Sequence, residues 1–297
     1  MAVTIMRQDL GASFHQTSSD SNLIGELSRE DEPEVLEFLA VNPIHTVLMA
    51  SFIRENGMIS PRNRGSFYAC RDRSGQLEGV ALIGHVTVIE TESEDSLSAF
   101  ARLSRHCQNT RMVRGEREQI NCFWRHYANS GQRPRLISSE LLFEQRQPLP
   151  LPEPIQDLRA ITLNELDQVL KINATLAFQE GGVSPMNTDP AGFRNRTARR
   201  IEQGRVWAWV RDGRVVFKAD VVGETPQAMY LEGVYVDPEE RLKGYGRRCM
   251  TQLGSILLQR SQAICLTINE RNKNALAFYE KAGYQFHSNY VTIYLQP

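Results

Sequence analysis

Apolar residues at Leu166, Val169, Leu170 and Ala174 recur at helical spacing and place a helix over 163–178. A second helix over 193–203 presents Arg194, Arg196, Arg199 and Arg200, which read as one solvated basic face. The period then changes. Segments 157–161, 205–210, 215–222 and 231–236 read as strands, the middle pair joined by Asp212-Gly213, a strong hairpin signal. A helix over 245–262 carries Cys249, Leu253, Ile256 and Leu257 on one stripe. A short apolar strand over 264–268, a helix over 274–282 closed by Gly283, and a strand over 290–295 complete a mixed α/β layer, mainly antiparallel at its start.

The first half has a similar pattern. Helices are predicted over 32–39 and 46–55, strands over 66–70 and 79–89 joined through Ser74-Gly75, a helix over 96–106, a strand over 110–114, a helix over 118–127 and a strand over 136–143. This is the element order of the second half, and it implies a degenerate structural duplicate. Between the halves, residues 147–154 place proline at every second position, a pattern that favours an extended polyproline spacer. With 297 residues, two domains are expected. The predicted division is a flexible polar segment 1–22, a first domain 23–146, a linker 147–154 and a second domain 155–297.

Composition narrows the function. The net charge is −1 and charges of both signs are interspersed, so a nucleic-acid binder gains no support. No apolar run approaches the ~20 residues of a membrane span, and the start lacks the plan of a signal peptide. Cys70, Cys107, Cys122, Cys249 and Cys265 are odd in number without Cys-x-x-Cys spacing, which predicts free thiols and a cytoplasmic protein. The six histidines are scattered, and no metal is expected.

The chemistry concentrates in 231–246, L-E-G-V-Y-V-D-P-E-E-R-L-K-G-Y-G: an apolar strand, a proline turn, then an Arg-x-x-Gly-x-Gly loop opening a helix. Unpaired backbone N–H groups and the positive helix end converge there, which suits a phosphate. The spacing fits neither a Walker loop nor a dinucleotide fingerprint. Arg241 instead offers a guanidinium fork, and Gly244 and Gly246 allow close approach of the backbone. The first half has Arg114-Gly115 where the corresponding loop is expected, but no second glycine, so a phosphate role there is not expected.

Together with N-x-x-A-x-x-F-Y-x-x-x-G-Y from Asn272 to Tyr284, this stretch resembles the GNAT superfamily of acyl-CoA-dependent N-acetyltransferases, over roughly the last half of the chain. Tandem GNAT-like chains with one cofactor-competent half are familiar in bacteria. The second half is also similar to an uncharacterised bacterial group with a GNAT domain behind a domain of unknown function. The resemblance implies a C-terminal GNAT fold preceded by a second, degenerate GNAT-like domain, with acetyl-CoA as co-substrate and no metal. It implies cofactor contacts from Val234, Tyr235 and Val236, from Arg241, Leu242, Lys243, Gly244, Tyr245, Gly246 and Arg247, and from Asn272 to the pantetheine arm. Asn272 could equally cap the following helix, and both roles can hold.

Tyr279 matches the tyrosine that in many GNAT enzymes protonates the departing CoA sulfur. For the general base, period two places Glu232 on one strand face with Val234 and Val236. Glu180, in the loop bordering the acceptor site, is the rival. Lys218 is expected to pair with Glu232 or Asp220. The function implied is direct acetyl transfer in a ternary complex to a small amine or a peptide N-terminus entering between the halves. The alternative is a non-catalytic acyl-CoA-binding regulatory module. Acceptor, acyl preference and homodimerisation stay open.

Overall fold

The structure is a computed structural model that describes residues 23–129, 131–150 and 153–296. The segment 1–22, expected to be flexible, and two residues of the proline run lie outside the described residues.

The first half runs β1 (Leu23–Glu26), α1 (Glu32–Leu39), α2 (Pro43–Asn56), β2 (Gly65–Arg71), β3 (Leu77–Gly84), β4 (Val86–Thr91), α3 (Glu94–Ser104), β5 (Met112–Glu116), α4 (Arg117–Tyr127) and β6 (Pro134–Gln145). The second runs β7 (Leu158–Ala160), α5 (Leu166–Gly181), α6 (Pro185–Thr188), α7 (Pro190–Glu202), β8 (Val206–Arg211), β9 (Arg214–Glu224), β10 (Met229–Val236), α8 (Tyr245–Leu257), β11 (Ile264–Asn269), α9 (Lys273–Lys281) and β12 (Gln285–Leu295). Helix starts follow local chemistry. Thr162 and Glu165 form a capping box before α5, and Asp189 caps α7 through Gly192 N–H, with Pro190 in its first turn. The β8–β9 hairpin turns through Asp212 and Gly213, both at positive φ, as expected. The strand expected over 79–89 is two strands, broken between Gly84 and Val86. The helix expected to reach residue 262 ends at Leu257.

Among the described residues, all strands join one twelve-stranded sheet in the order β1-β2-β3-β4-β5-β12-β6-β11-β10-β9-β8-β7. Adding six to each first-half strand number yields its counterpart in the second half, and the order reads alike from either end. The halves exchange their last strands. β12 pairs with β5, β6 pairs with β11, and the two exchanged strands pair with each other at the centre along most of their length. Each half therefore completes its sheet with a strand that the other half supplies.

Two layers of helix cover the sheet. On one face α8 and α9 bury Cys249, Met250, Leu253 and Leu257 against Phe217, Val221, Leu231 and Leu266. Burial of each such apolar side chain is worth about 1.5–3 kcal/mol. The opposite face receives α5 and α7 over Val206, Ala208 and Val215, while α2 packs its Ile44 and Val47 on Leu142 and Tyr230. In the first half α3 and α4 cover Ala81, Ile89, Val113 and Ile293, on the same side of the sheet as their counterparts. None of the five cysteines forms a disulfide. Among the described residues no helix is long and apolar enough to cross a membrane.

Candidate active site

β10 and β11 run parallel but pair only at Met229–Ile264 and Tyr230–Cys265, after which they diverge. The edge of β10 carrying Val234 and Tyr235 therefore has no ladder to β11. On its other side β10 stays on β9 through a bulge, Glu232 opposite Asp220 and Tyr235 opposite Lys218. Gly233 supplies the bulge at φ +61°, and a Cβ there would sit 2.8 Å from Lys218 Nζ. Lys218 is fully buried; its Nζ donates to Gly233 O at 2.8 Å and pairs with Asp220 Oδ1 at 2.8 Å. Burial pulls the Lys218 pKa below the ordinary lysine value, against the opposing pull of Asp220. Asn173 and Arg200 complete the surroundings of Asp220.

The bulge reverses the parity of the strand, and this corrects the expectation for Glu232. Leu231, Val234 and Val236 all pack against the α8–α9 core, whereas Glu232 lies on the opposite face with Tyr230. Period-two reasoning fails because one extra residue was inserted. Of the two partners expected for Lys218, the structure places Asp220 beside it and gives Glu232 to an arginine.

Beyond Val236 the loop turns over a 3-10 segment, Pro238–Glu240, and Leu242 and Gly244 adopt positive φ of 63° and 82°. Gly244 is the N-cap of α8 and no side chain caps that helix, so its first N–H groups meet the cleft without a local side-chain partner. Gly246 permits close helix–strand packing, since a Cβ there would meet Val236 Cγ2 at 2.7 Å. Arg241 Nε donates to Val236 O at 3.1 Å, bringing the guanidinium back along the strand end. Lys243 pairs with the buried Glu240 at 3.1 Å. Leu242 and Arg247 are exposed, and Tyr245 stacks edge-on to Trp209, their rings 5.1 Å apart.

Across the cleft, Asn272 caps α9, its Oδ1 accepting from Ala275 N–H at 3.0 Å. About two turns later, Tyr279 lies half-buried between the ring edges of Phe278 and Tyr284. Desolvation raises its pKa, and the carboxylate of Glu180 raises it further. Glu180 ends α5 rather than lying in a loop. It opens to the cleft mouth, yet loss of surrounding water lifts its pKa to about 7; Glu232 and Glu140 add to the rise, while Arg114 and Lys218 oppose it.

Arg114 is the residue that sequence reasoning misplaced. The pair Arg114-Gly115 belongs to strand β5, the counterpart of β11, and not to a cofactor-type loop. The counterpart of that loop is 92–93, between β4 and α3. From β5 the buried Arg114 side chain reaches into the other half's cleft. Its Nη1 meets Glu232 Oε1 at 3.0 Å, and its Nη2 donates to Tyr230 Oη and, at 3.1 Å, to Thr267 Oγ1. Glu140, on exchanged strand β6, stands 4.0 Å away and accepts from Thr292 Oγ1. The only hint in the sequence is an arginine between Val113 and Gly115 in a short strand, which demands acidic partners without saying where they lie. Glu140, Glu180 and Glu232 thus lie together around Arg114, which pairs with Glu232, while Lys218 pairs with Asp220. Such a groove suits a cationic amine.

Among the described residues one trio brings potential metal-ligand atoms together: Glu94, Cys122 and His126, on α3 and α4. Cys122 and His126 are one helical turn apart, a spacing that counting histidine pairs alone passes over. Glu94 already meets Arg125 at 3.4 Å.

Residues 172–284 match the Acetyltransferase (GNAT) family. No curated protein matches the chain. Among solved structures, the chain is similar to a GCN5-related N-acetyltransferase from Sphaerobacter thermophilus, with 15% identity, TM-score 0.56 and coverage of 93% of this chain and 96% of that one. An acetyltransferase of the GNAT family from Colwellia psychrerythraea gives 11% identity, TM-score 0.54 and coverage of 92% and 99%. A tandem GNAT protein from the clavulanic acid biosynthesis pathway gives 11% identity, TM-score 0.56 and coverage of 93% and 99%. At such identities the likeness is one of fold. The match to the GNAT family thus spans residues 172–284, and the chain shares the GNAT fold across nearly its whole length.

Proposed function

We propose that the chain transfers an acyl group, acetyl in the first instance, from acyl-CoA to a primary amine by direct attack in a ternary complex. The carboxyl-terminal half, after a division at 147–154, holds the coenzyme. Its pyrophosphate meets the uncapped start of α8, with Arg241, Lys243, Gly244, Tyr245, Gly246 and Arg247 around it and Leu242 on the outer side of the bend. Pantetheine lies along the unpaired edge of β10 at Val234, Tyr235 and Val236, and reaches toward Asn272. The amine enters the acidic groove between the halves as an ammonium ion. There it must lose a proton, attack the thioester carbon and expel a thiolate that in turn needs a proton.

Glu180 serves as the base in this reading and Tyr279 as the acid. The observation that carries it is that the two groups sense each other's charge beside the strand splay in opposite states: a carboxyl raised to about 7, able to take the ammonium's proton, and a tyrosine kept protonated by burial, able to supply one to the thiolate. Glu232 is less suited to be the base, because its carboxylate is held by Arg114. The role we assign it is to fix that arginine in the groove wall.

Thiol release from acetyl-CoA with a panel of amines tests the proposal. Tyr279→Phe is expected to lower kcat by about a hundredfold or more with little change in CoA affinity. A rate within twofold of wild type would remove Tyr279 from the mechanism, and CoA binding without turnover on any amine would favour the regulatory module. Arg241→Ala is expected to weaken CoA by about 1.5–3 kcal/mol, measured by calorimetry, through loss of charged hydrogen bonds. Unchanged affinity would overturn the pyrophosphate assignment.

A further inference from the structure

The first half opens a gap of the same kind in its own part of the sheet. β4 pairs with β5 only at Val86–Met112 and Thr87–Val113, and the strands then diverge around a cavity of about 240 Å³. At ~30 Å³ per water this is room for about eight waters, or one small organic molecule. The N-cap Asn42 and the first turn of α2, with Ile44 and His45, roof it, and Tyr290 of exchanged strand β12 and Tyr230 of β10 close the far wall.

The lining is anionic. Glu90 is 9% exposed, its Oε1 accepts from Asn42 Nδ2 at 2.6 Å, and Glu92 and Glu116 flank it. None of these three carboxylates has an ion-pair partner among the described residues. Burial, then Glu116 and Glu92, raise the Glu90 pKa, as expected of a carboxylate that lacks a counter-ion. Arg114 borders the cavity but spends its guanidinium on Glu232, Tyr230 and Thr267. His45 adds no charge at neutral pH: burial, then His287, push its pKa down to about 4. Its ring is fixed in a chain of hydrogen bonds, Tyr290 Oη at 3.0 Å from Nδ1 and His287 Nε2 at 3.2 Å from Nε2, with His287 in turn 3.2 Å from Glu144. A phosphate is disfavoured here. The start of α3 is capped by Ser93 and followed by Glu94 and Asp95, the reverse of the bare, basic start of α8.

We propose that this cavity is a second ligand site, which takes a small organic cation bearing a protonated amine, held by Glu90 with Glu92 and Glu116 at its rim. The site is independent of the reaction assigned to the other half, although Arg114 and Tyr230 form a wall common to the cavity and the groove.

The test is calorimetric titration of the full chain with butane-1,4-diamine and with phenethylamine, using butane-1,4-diol as the uncharged counterpart, on wild type, Glu90→Gln and Glu180→Gln. At least one amine is expected to bind wild type and Glu180→Gln alike, the diol not at all, and Glu90→Gln is expected to weaken that amine about tenfold or more. Glu90→Gln should melt no lower than wild type at pH 7, because the fold favours the protonated carboxyl that glutamine imitates. Should it fail to fold, Glu116→Gln at the exposed rim replaces it, with a loss of about threefold or more expected. Failure of both amines to bind, affinity unchanged in the cavity variant, or affinity lost in Glu180→Gln and kept in Glu90→Gln would each overturn the proposal. The last would put the amine in the groove instead.

Discussion

Glu180→Gln is expected to lower kcat/KM by about 10²- to 10⁴-fold and to erase the acidic limb of the pH–rate profile. With its pKa at about 7, wild-type Glu180 is ionised and able to accept a proton above that pH, and protonated and idle below it. The wild-type rate should therefore fall as pH drops through about 7. In the variant the remaining pH dependence should follow only the amine's own ionisation, near 10 for an alkylamine. Stability moves in the opposite direction. The fold raises this pKa above the reference value of 4.5, so protonation is the state that folding favours; stability is fullest below 4.5 and declines as pH climbs through about 7. Glutamine keeps the neutral form at every pH, so the variant should melt no lower than wild type at pH 8. A rate loss under tenfold with the limb near 7 retained would remove Glu180 from the role of base.

What the sequence made legible was local. The Arg241–Gly246 loop announces a bare helix start because each of its requirements is met within six residues: a strand before it, positive φ at Gly244, no Cβ at Gly246. Asn272 and the Asp212-Gly213 hairpin are of the same kind. What stayed hidden depends on strands far apart in sequence. Arg114 and Glu232 are 118 residues apart and meet only because β12 and β6 cross over between β5 and β11. No periodicity within either strand encodes that crossing. The apolar run through 79–89 looked continuous, since the break near His85 comes from backbone contact between Gly65 and Gly84, whose Cβ positions would clash with neighbouring main chain. Gly233 misled for a third reason. In a strand it reads as an ordinary weak spot, whereas here it forms the bulge that turns Glu232 away from Val234.

That bulge depends on a buried charge, and Lys218→Met should expose the dependence by destabilising the protein by about 3–5 kcal/mol in denaturant melts. Methionine fills nearly the same space, so the loss would not come from a void. It would come from Asp220, 2% exposed, left with Arg200 at 3.4 Å and Asn173 at 3.2 Å, and from Gly233 O, left without its donor. Adding Asp220→Asn to the lysine variant should recover part of the stability, because the penalty lies largely in a buried carboxylate left with Arg200 and Asn173 alone rather than in a missing attraction. Activity should not recover with it. Gly233 O would still lack its anchor, the bulge would relax toward a regular ladder, and Val234 and Tyr235 would no longer present an open edge in the splay. A destabilisation below about 1 kcal/mol in the single variant, or activity restored with stability in the double, would show that the bulge is held by β9 pairing alone and that Lys218 is incidental to the cleft.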